Sequence, residues 1–344
     1  MSTVLFLSCR KDPAAPVGTV GPTPLMLDLP QWVLDSIGPM PMPVDNPLTV
    51  EGVALGRRLF HEKMLSDDGT MSCASCHLQE HGFSDPDAFS TGTDGSVGDR
   101  NAMAVINLGW SENLFWDGRR HSLEGQAHDP VTNPIEMRNT WPTVVDRLQN
   151  DPLYPDLFQA AFGTSAVDSD LVVMAIAQFE RTMVSFDSRF DRFYYGGDSS
   201  ALDQMELDGM ALFERHCTQC HDLGLFTDDD LRNNGLPFPV TDSGLAAVTG
   251  LSTDLYKFKV PTLRNISMTA PYMHDSRFPT LFDVVTFYGG HVDANSPNVD
   301  TTNLTGLLHL PNGNFTWEEK DRLIAFLNTL TDSTFLTDAR FTAP

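Results

Sequence analysis

Apolar side chains recur at helical spacing in several separate segments of this chain. In residues 50–63, Val53, Leu55 and Leu59 return to one side of a helix. Thr316 and Glu319 form a capping box at the start of another such segment. Strand signals are weak throughout, so the pattern predicts a mainly α fold. The predicted helices are residues 50–63, 141–150, 155–162, 170–186, 203–217, 280–288 and 316–330.

Turn-forming residues separate these helices and suggest how the chain is divided. Residues 10–50 carry many prolines and no sustained period, which predicts an extended segment that wraps the body. The run Gly196-Gly197-Asp198-Ser199-Ser200 is the best candidate for a domain boundary. We therefore predict a leader and extended segment at residues 1–44, an N-terminal domain at 45–197 and a C-terminal domain at 198–344.

A Cys-x-x-Cys-His motif occurs once in each predicted domain. Such a motif attaches c-type haem through two thioether bonds, and its histidine is the proximal iron ligand. A redox cysteine pair or half of a zinc site is the alternative, but the duplication favours two haem c groups. The sequence thus predicts two cytochrome c-like haem domains with long irregular loops. The motifs are Cys73-Ala-Ser-Cys76-His77 and Cys217-Thr-Gln-Cys220-His221.

The 344-residue chain is acidic, with 46 acidic and 22 basic residues and a net charge of -24. This charge repels nucleic acid and anionic membranes, and it suits a partner that docks through a basic patch. Haem attachment implies assembly outside the cytosol, in the periplasm. Cys9 follows a short apolar run that resembles the end of a lipoprotein signal, so it is a candidate lipid anchor. No run approaches the roughly 18 apolar residues of a membrane span.

Several further blocks of distinctive residues follow one another in order: Arg100-Asn101, Phe115-Trp-Asp-Gly-Arg119, Asn133-Pro-Ile-Glu136-Met137, Phe179-Glu-Arg-Thr182 and Ala270-Pro-Tyr-Met-His-Asp275. Together with the haem motifs, they resemble the bacterial di-haem cytochrome c peroxidase family, which also contains the MauG and MbnH enzymes. The resemblance runs from about residue 50 to the C-terminus. Residues 335–341 resemble the MbnH-type tail in particular.

The resemblance implies that the first haem reacts with hydrogen peroxide. Glu136 would act as acid and base, Gln126 would hydrogen-bond the bound oxygen species, and Pro130 would shape the cavity. Many family peroxidases block this iron with a loop histidine, but Thr93 stands at that position here. We therefore expect an open first haem in the resting ferric protein. His81 is a weaker substitute because it lies next to the attachment turn.

The resemblance makes Tyr288 the far-side ligand of the second haem. Ordinary family peroxidases carry a methionine there, and tyrosine is the MauG-like substitution. A phenolate stabilises higher oxidation states of iron, whereas methionine favours the ferrous state. Met273, Met268 and His291 are competing ligands.

Two further features are implied between the haems. Trp116 matches the family tryptophan that carries electrons from one haem to the other. Asn101 and the backbone carbonyls of Thr269 and Pro271 match a calcium site, an oxygen set that suits a hard cation. Water molecules would complete its coordination.

The leading interpretation is a di-haem oxidase in which hydrogen peroxide forms a bis-Fe(IV) state. This state would oxidise an aromatic residue, tryptophan in MbnH-like enzymes, on a secreted or periplasmic partner protein. One alternative is a cytochrome c peroxidase that takes electrons from a small cytochrome or cupredoxin, but Tyr288 and Thr93 weigh against it. A second is a non-catalytic di-haem electron carrier, which would need none of Gln126, Pro130 and Glu136.

Overall fold

The computed structural model describes residues 21–237, 241–310 and 313–344, so Cys9 and the start of the leader lie outside the described residues. The described part is mainly helical, as the apolar spacing predicts. A short antiparallel pair joins β1 (Leu231–Arg232) to β2 (Phe258–Lys259). The helices are α1 (Gln31–Ser36), α2 (Val50–Phe60), α3 (Leu123–Thr132), α4 (Trp141–Asn150), α5 (Tyr154–Phe162), α6 (Ser169–Arg181), α7 (Arg189–Tyr194), α8 (Gln204–His216), α9 (Ala246–Thr249), α10 (Leu281–Tyr288), α11 (Thr305–Leu308), α12 (Trp317–Asn328) and α13 (Ser333–Thr337).

Polar side chains fix the points at which the main helices begin. Thr49 accepts a hydrogen bond from the backbone of α2, and Asp203 does the same for α8. These side chains satisfy backbone N–H groups that have no partner inside the helix. Thr316 and Glu319 form the expected capping box at the start of α12. The capping box predicted at Thr316 is confirmed.

The same helix pair occurs twice in the fold. Helix α2 packs against α6, and α8 packs against α12. In the first pair the rings of Phe60 and Phe179 meet with centroids 5.5 Å apart, and in the second Phe213 and Phe326 meet at 5.1 Å. Each pair belongs to a separate buried core. The two haem motifs therefore sit in two structurally similar halves.

Helix α6 ends at Arg181, short of the predicted end at residue 186. Asn107 explains the difference because its backbone N–H donates to the carbonyl of Met183, and its side-chain oxygen accepts from the N–H of Ser185. These bonds hold residues 183–185 outside the helix. Asn265 makes the corresponding pair of bonds after α12. Both asparagines adopt the left-handed conformation that this residue type tolerates.

The two halves exchange short segments. The rings of Phe335 and Phe341, near the C-terminus, pack against Phe83 in the first core, at 5.4 and 5.9 Å. In the other direction, Phe190 of α7 belongs to the second core. The division at residues 197 and 198 stays a prediction, and packing alone would assign these segments to the opposite halves.

Helix α3 is absent from the helices predicted by apolar spacing. Its N-cap Ser122 is followed by Leu123, Ala127 and Val131, which are buried at four-residue intervals and identify one packed face. Pro130 lies inside this helix and does not stop it. In the described part of the chain, no helix has the length and apolar character to cross a membrane.

Candidate functional site

One continuous cavity of about 520 Å³ lies between the two halves and reaches both Cys-x-x-Cys-His motifs. Most of its wall area is apolar, and polar side chains are set among the apolar ones, which is typical of a cofactor site. The wall residues predicted from the sequence include Trp116, Gln126, Pro130, Glu136 and Tyr288. The structure therefore brings the candidate residues to a single chamber.

The first motif forms a tight turn that directs its histidine into the cavity. Cys73–Ser75 is a single 3-10 turn, capped by Ser72. The Nδ1–H group of His77 donates to the carbonyl of Phe83 at 2.8 Å, which leaves Nε2 free to bind iron. Burial lowers the pKa of His77 and so favours the neutral imidazole that ligates metals.

The second motif repeats this arrangement. The Nδ1–H group of His221 donates to the carbonyl of Phe226 at 3.0 Å, and burial again lowers the pKa of the histidine. Phe83 and Phe226 both have a positive φ, at 58° and 55°. A positive φ is costly for a bulky residue, so the fold holds both carbonyls in a strained position beneath the histidines. Both motifs therefore hold their histidine in a fixed orientation with Nε2 free.

The surroundings of the cysteines argue against the zinc and redox alternatives. Burial raises the pKa of Cys217 to about 12 and that of Cys220 to about 11, and it also raises the pKa of Cys73. The reactive thiolate that a redox cysteine pair requires is therefore disfavoured. Within residues 21–237, 241–310 and 313–344, no cluster of three or more His, Cys, Asp or Glu side chains is placed to hold a metal ion. The cavity and the free Nε2 atoms fit haem.

Glu136 is the central polar group on the wall near the first motif. Its carboxylate accepts a hydrogen bond from the side-chain amide of Asn133 at 2.6 Å. Burial raises the pKa of Glu136, and the Asn133 hydrogen bond partly opposes that rise. The backbone of Met137 donates to the carbonyl of Pro130 at 3.2 Å, which fixes this loop against α3. Gln126 projects into the same cavity from α3.

The loop around Thr93 closes over the backbone of Glu136. The N–H of Thr93 donates to the Glu136 carbonyl at 3.1 Å. Gly92 permits this approach, since a Cβ there would lie 2.4 Å from the carbonyl oxygen of Ile135. His81 does not line the cavity. Thr93 has no imidazole, and the imidazole of His81 lies outside the cavity. Neither position therefore places a histidine ring beside Glu136.

Two side chains compete for the far side of the second haem site. The amide nitrogen of Asn234 donates to Tyr288 Oη at 3.1 Å and lies 3.7 Å from Met273 Sδ. Both Tyr288 and Met273 line the cavity, whereas Met268 and His291 do not. Burial raises the pKa of Tyr288 to about 12, so its phenol ionises at neutral pH only beside a cation.

Trp116 lies at the junction of the two halves. Its indole N–H donates to the backbone carbonyl of Asn101 at 2.8 Å, and the N–H of Asn101 donates to the carbonyl of His274. Thr269 and Pro271 line the same cavity. The side-chain amide of Asn101 donates to the carbonyl of Asp87 at 3.3 Å. Trp116, the candidate electron bridge, and the candidate calcium ligands therefore lie along the same junction between the two halves.

Three residues of the site escape the sequence reasoning. Asn234 follows no recognisable motif, and its position beside Tyr288 depends on the tertiary fold. The ring of His274 stacks on Phe258 and lies 6.4 Å from Trp116. Glu180 lines the cavity and is buried, and one of its carboxylate oxygens has no hydrogen-bond partner among the described residues. The sequence feature that could identify Glu180 is the presence of a charged residue on the otherwise apolar face of α6.

Comparison with known proteins places these features in a family context. Residues 50–200 match the family model for di-haem cytochrome c peroxidase. The methylamine utilization protein MauG of Methylophilus methylotrophus is 34% identical, with 85% of each chain covered. The cytochrome c551 peroxidase of Nitrosomonas europaea is 36% identical, with 85% of this chain and 83% of the relative covered. A MauG-like protein associated with microbial copper homeostasis superposes with a TM-score of 0.82 at 35% identity, covering 93% of this chain and 99% of that structure.

Proposed function

Since the chain belongs to the di-haem cytochrome c peroxidase and MauG family, we propose that it uses hydrogen peroxide to oxidise an aromatic residue, tryptophan in the first instance, of a partner protein. As a family member it is a di-haem oxidoreductase that carries two haem c groups. The proposal that the protein oxidises a partner's aromatic residue rests on one observation: Tyr288 lies in the cavity wall beside the second motif. The copper-associated MauG-like structure adds support because it covers nearly the whole chain.

When bound, the haems supply redox-active iron that exchanges electrons with peroxide. The remaining work falls to the side chains of the first site. Glu136 takes the proton from the near oxygen of peroxide and returns it to the far oxygen, which leaves as water. Gln126 orients the peroxide, and Pro130 and Ala127 keep the wall beside it apolar. His77 would hold the first haem iron through Nε2, because its other ring nitrogen is fixed by the carbonyl of Phe83.

Thr93 keeps the first site accessible in the resting protein. No histidine would then cover the first haem iron, so this site would be open to peroxide without prior reduction of the second haem. Tyr288 would hold the second haem iron through its phenolate oxygen, which Asn234 orients by its hydrogen bond. Trp116 provides an indole between the two sites for electron exchange. The two haem sites thus have different tasks.

The proposal also includes a calcium ion and a periplasmic location. Asn101, with the carbonyls of Thr269 and Pro271, would hold Ca²⁺ at the junction of the two halves and so steady the position of Trp116. The protein works in the periplasm, where c-type haem is attached and where a secreted partner is available. The acidic surface, with a net charge of -24, favours a partner that presents basic residues.

A second function is supported by one specific observation. Met273 Sδ and Tyr288 Oη lie near the same amide nitrogen of Asn234, so methionine can reach the far side of the second site. With methionine as ligand, the protein would be a cytochrome c peroxidase that takes electrons from a small cytochrome or cupredoxin. The relatives include proteins of both names.

The experiment adds stoichiometric hydrogen peroxide to the diferric protein and records optical, near-infrared and Mössbauer spectra. We expect a long-lived state in which both irons are oxidised beyond ferric. A reaction that requires prior half-reduction would instead identify a cytochrome c peroxidase. A protein that does not react with peroxide in either state would be an electron carrier, and the proposal would be wrong.

A further inference from the structure

A chain of aromatic rings leads from the cavity wall to the protein surface. Trp110 lines the cavity, and the Phe186 ring lies 5.5 Å from it. Phe186 also meets Trp32 of α1 at 5.4 Å, edge to face. Trp32 stacks on Tyr195 with centroids 3.7 Å apart and planes within 5°. Tyr195 lies 4.9 Å from Tyr194, which is 44% exposed.

We propose that these five residues, Trp110, Phe186, Trp32, Tyr195 and Tyr194, form an electron route by which electrons enter the haem cavity from the surface at Tyr194. We call them the aromatic route. The inference rests on the proposed peroxide reaction, which supplies the oxidant. It adds the place at which the electrons of a partner enter this chain.

Ring chemistry and distance both favour this route. Indole and phenol lose an electron more readily than other side chains, so Trp110, Trp32, Tyr195 and Tyr194 can each hold the charge briefly. Electron tunnelling slows exponentially with distance, and these rings are in near contact, so several short steps are faster than one long step. Phe186 is the one member that is hard to oxidise, and it separates two tryptophans by a single ring.

The charges around the route do not oppose oxidation. The guanidinium of Arg264 lies 5.8 Å from the Trp32 ring and 4.7 Å from Phe186. An unpaired cation at this distance would disfavour a positively charged indole. Arg264 is instead paired with Asp191 through two hydrogen bonds of 2.9 Å, and both residues are buried. The local net charge is therefore close to zero.

A second set of rings also reaches Tyr194, but it has no oxidisable ring between the second motif and Tyr194. Phe226, whose carbonyl accepts from His221, lies 5.0 Å from Phe190, and Phe190 lies 5.2 Å from Tyr194. Both intermediate residues are phenylalanines, which cannot hold the charge between steps. The route through Trp32 is therefore the faster of the two.

The stoichiometry defines a measurable product when no partner is present. Each hydrogen peroxide takes up two electrons and two protons, its O–O bond breaks, and two waters form. Two Tyr194 side chains each supply one electron and one proton, and a carbon–carbon bond forms between their rings. The expected product is a covalent dimer joined by dityrosine at Tyr194.

The test adds peroxide to the diferric holoprotein without a partner, then measures dityrosine fluorescence, covalent dimer on denaturing gels and cross-linked peptides by mass spectrometry. We expect the Tyr194 product in the native protein and its loss in Y194F and in W32F. W32Y restores an oxidisable ring and should restore the product. W317F is the matched control because Trp317 is 70% exposed and lies outside the aromatic route.

Spectra recorded in the same experiment separate the two proposals. If peroxide does not oxidise the haems, the proposed function fails and the route fails with it. If the haems are oxidised but the modification lies at Trp317, or if W32F with a native haem spectrum still gives the Tyr194 product, the route alone is wrong. Loss of the product in W32F, with rescue in W32Y, supports it.

Discussion

Gly56 and Gly209 occupy the same place in the two halves of the protein. A Cβ on Gly56 would lie 1.9 Å from the carbonyl oxygen of Ala175, and a Cβ on Gly209 would lie 1.9 Å from that of Arg322. In both halves, the backbone of one helix therefore touches the backbone of the facing helix. This contact sets the crossing of the helix pair that underlies each haem site.

Alanine at either glycine should force the corresponding helix pair apart. We expect G56A and G209A each to lower the free energy of unfolding by about 1–3 kcal/mol or more, the usual cost of overpacking a filled core. Denaturant unfolding of the haem-loaded protein measures this. Gly306 of α11 is the control because a Cβ there has only ordinary contacts, the nearest at 3.4 Å. If G306A lowered the free energy of unfolding as much as G209A does, this account would be contradicted.

Glu136 should control the peroxide reaction. Replacement by the neutral, similarly shaped glutamine in E136Q removes the proton acceptor, and we expect a loss of about 10²–10⁴-fold in the rate with peroxide. Stopped-flow spectroscopy of the diferric protein measures the rate. E318Q, on the surface of α12, is the control and should react at the native rate. A native rate in E136Q would remove Glu136 from the mechanism.

The pH dependence of this reaction tests the role of Asn133. Glu136 must be ionised to accept a proton, so the rate falls as the pH drops below its pKa. The hydrogen bond from Asn133 stabilises the carboxylate and lowers that pKa, while burial raises it. We expect N133A to move the acidic limb of the rate profile to higher pH and to leave the plateau unchanged. A shift to lower pH would contradict the assigned hydrogen bond.

The ligand of the second haem decides between the two candidate functions. We expect Y288F to alter the low-spin spectrum of this haem and to abolish the long-lived oxidised state. M273L keeps a similar volume without the thioether and should leave both unchanged. Magnetic circular dichroism and electron paramagnetic resonance of the diferric variants measure ligation. The reverse pattern would make Met273 the ligand and favour the cytochrome c peroxidase.

The sequence predicts the local features of this fold better than its tertiary contacts. The turns around Cys73 and Cys217 and the capping box at Thr316 depend on neighbouring residues, and the structure confirms the capping box. The early end of α6 depends on Asn107, which lies far away in the chain. No local sequence pattern predicts a partner as distant as Asn107.

The candidate site shows the same difference between local features and tertiary contacts. The family resemblance points to Gln126 and Glu136, which lie in one continuous segment formed by α3 and the following loop. Asn234 and Tyr288 are 54 positions apart, and only the packed second half brings them together. The aromatic route likewise joins α1 to residues near α7, so its stacking of Trp32 on Tyr195 has no sequence signature.

Glu180 should make the stability of the protein depend on pH. Burial raises its pKa to about 8, from a usual value of 4.5, so the fold favours the protonated carboxyl. Its stabilising contribution is fully present below the unfolded pKa of 4.5 and is lost as the pH rises through about 8. Glutamine at this position is neutral at every pH. We therefore expect E180Q to match the native protein near pH 5 and to have the higher melting temperature at pH 9. E318Q, at an exposed position, should show no such difference, and a native-like pH dependence in E180Q would mean that another group titrates.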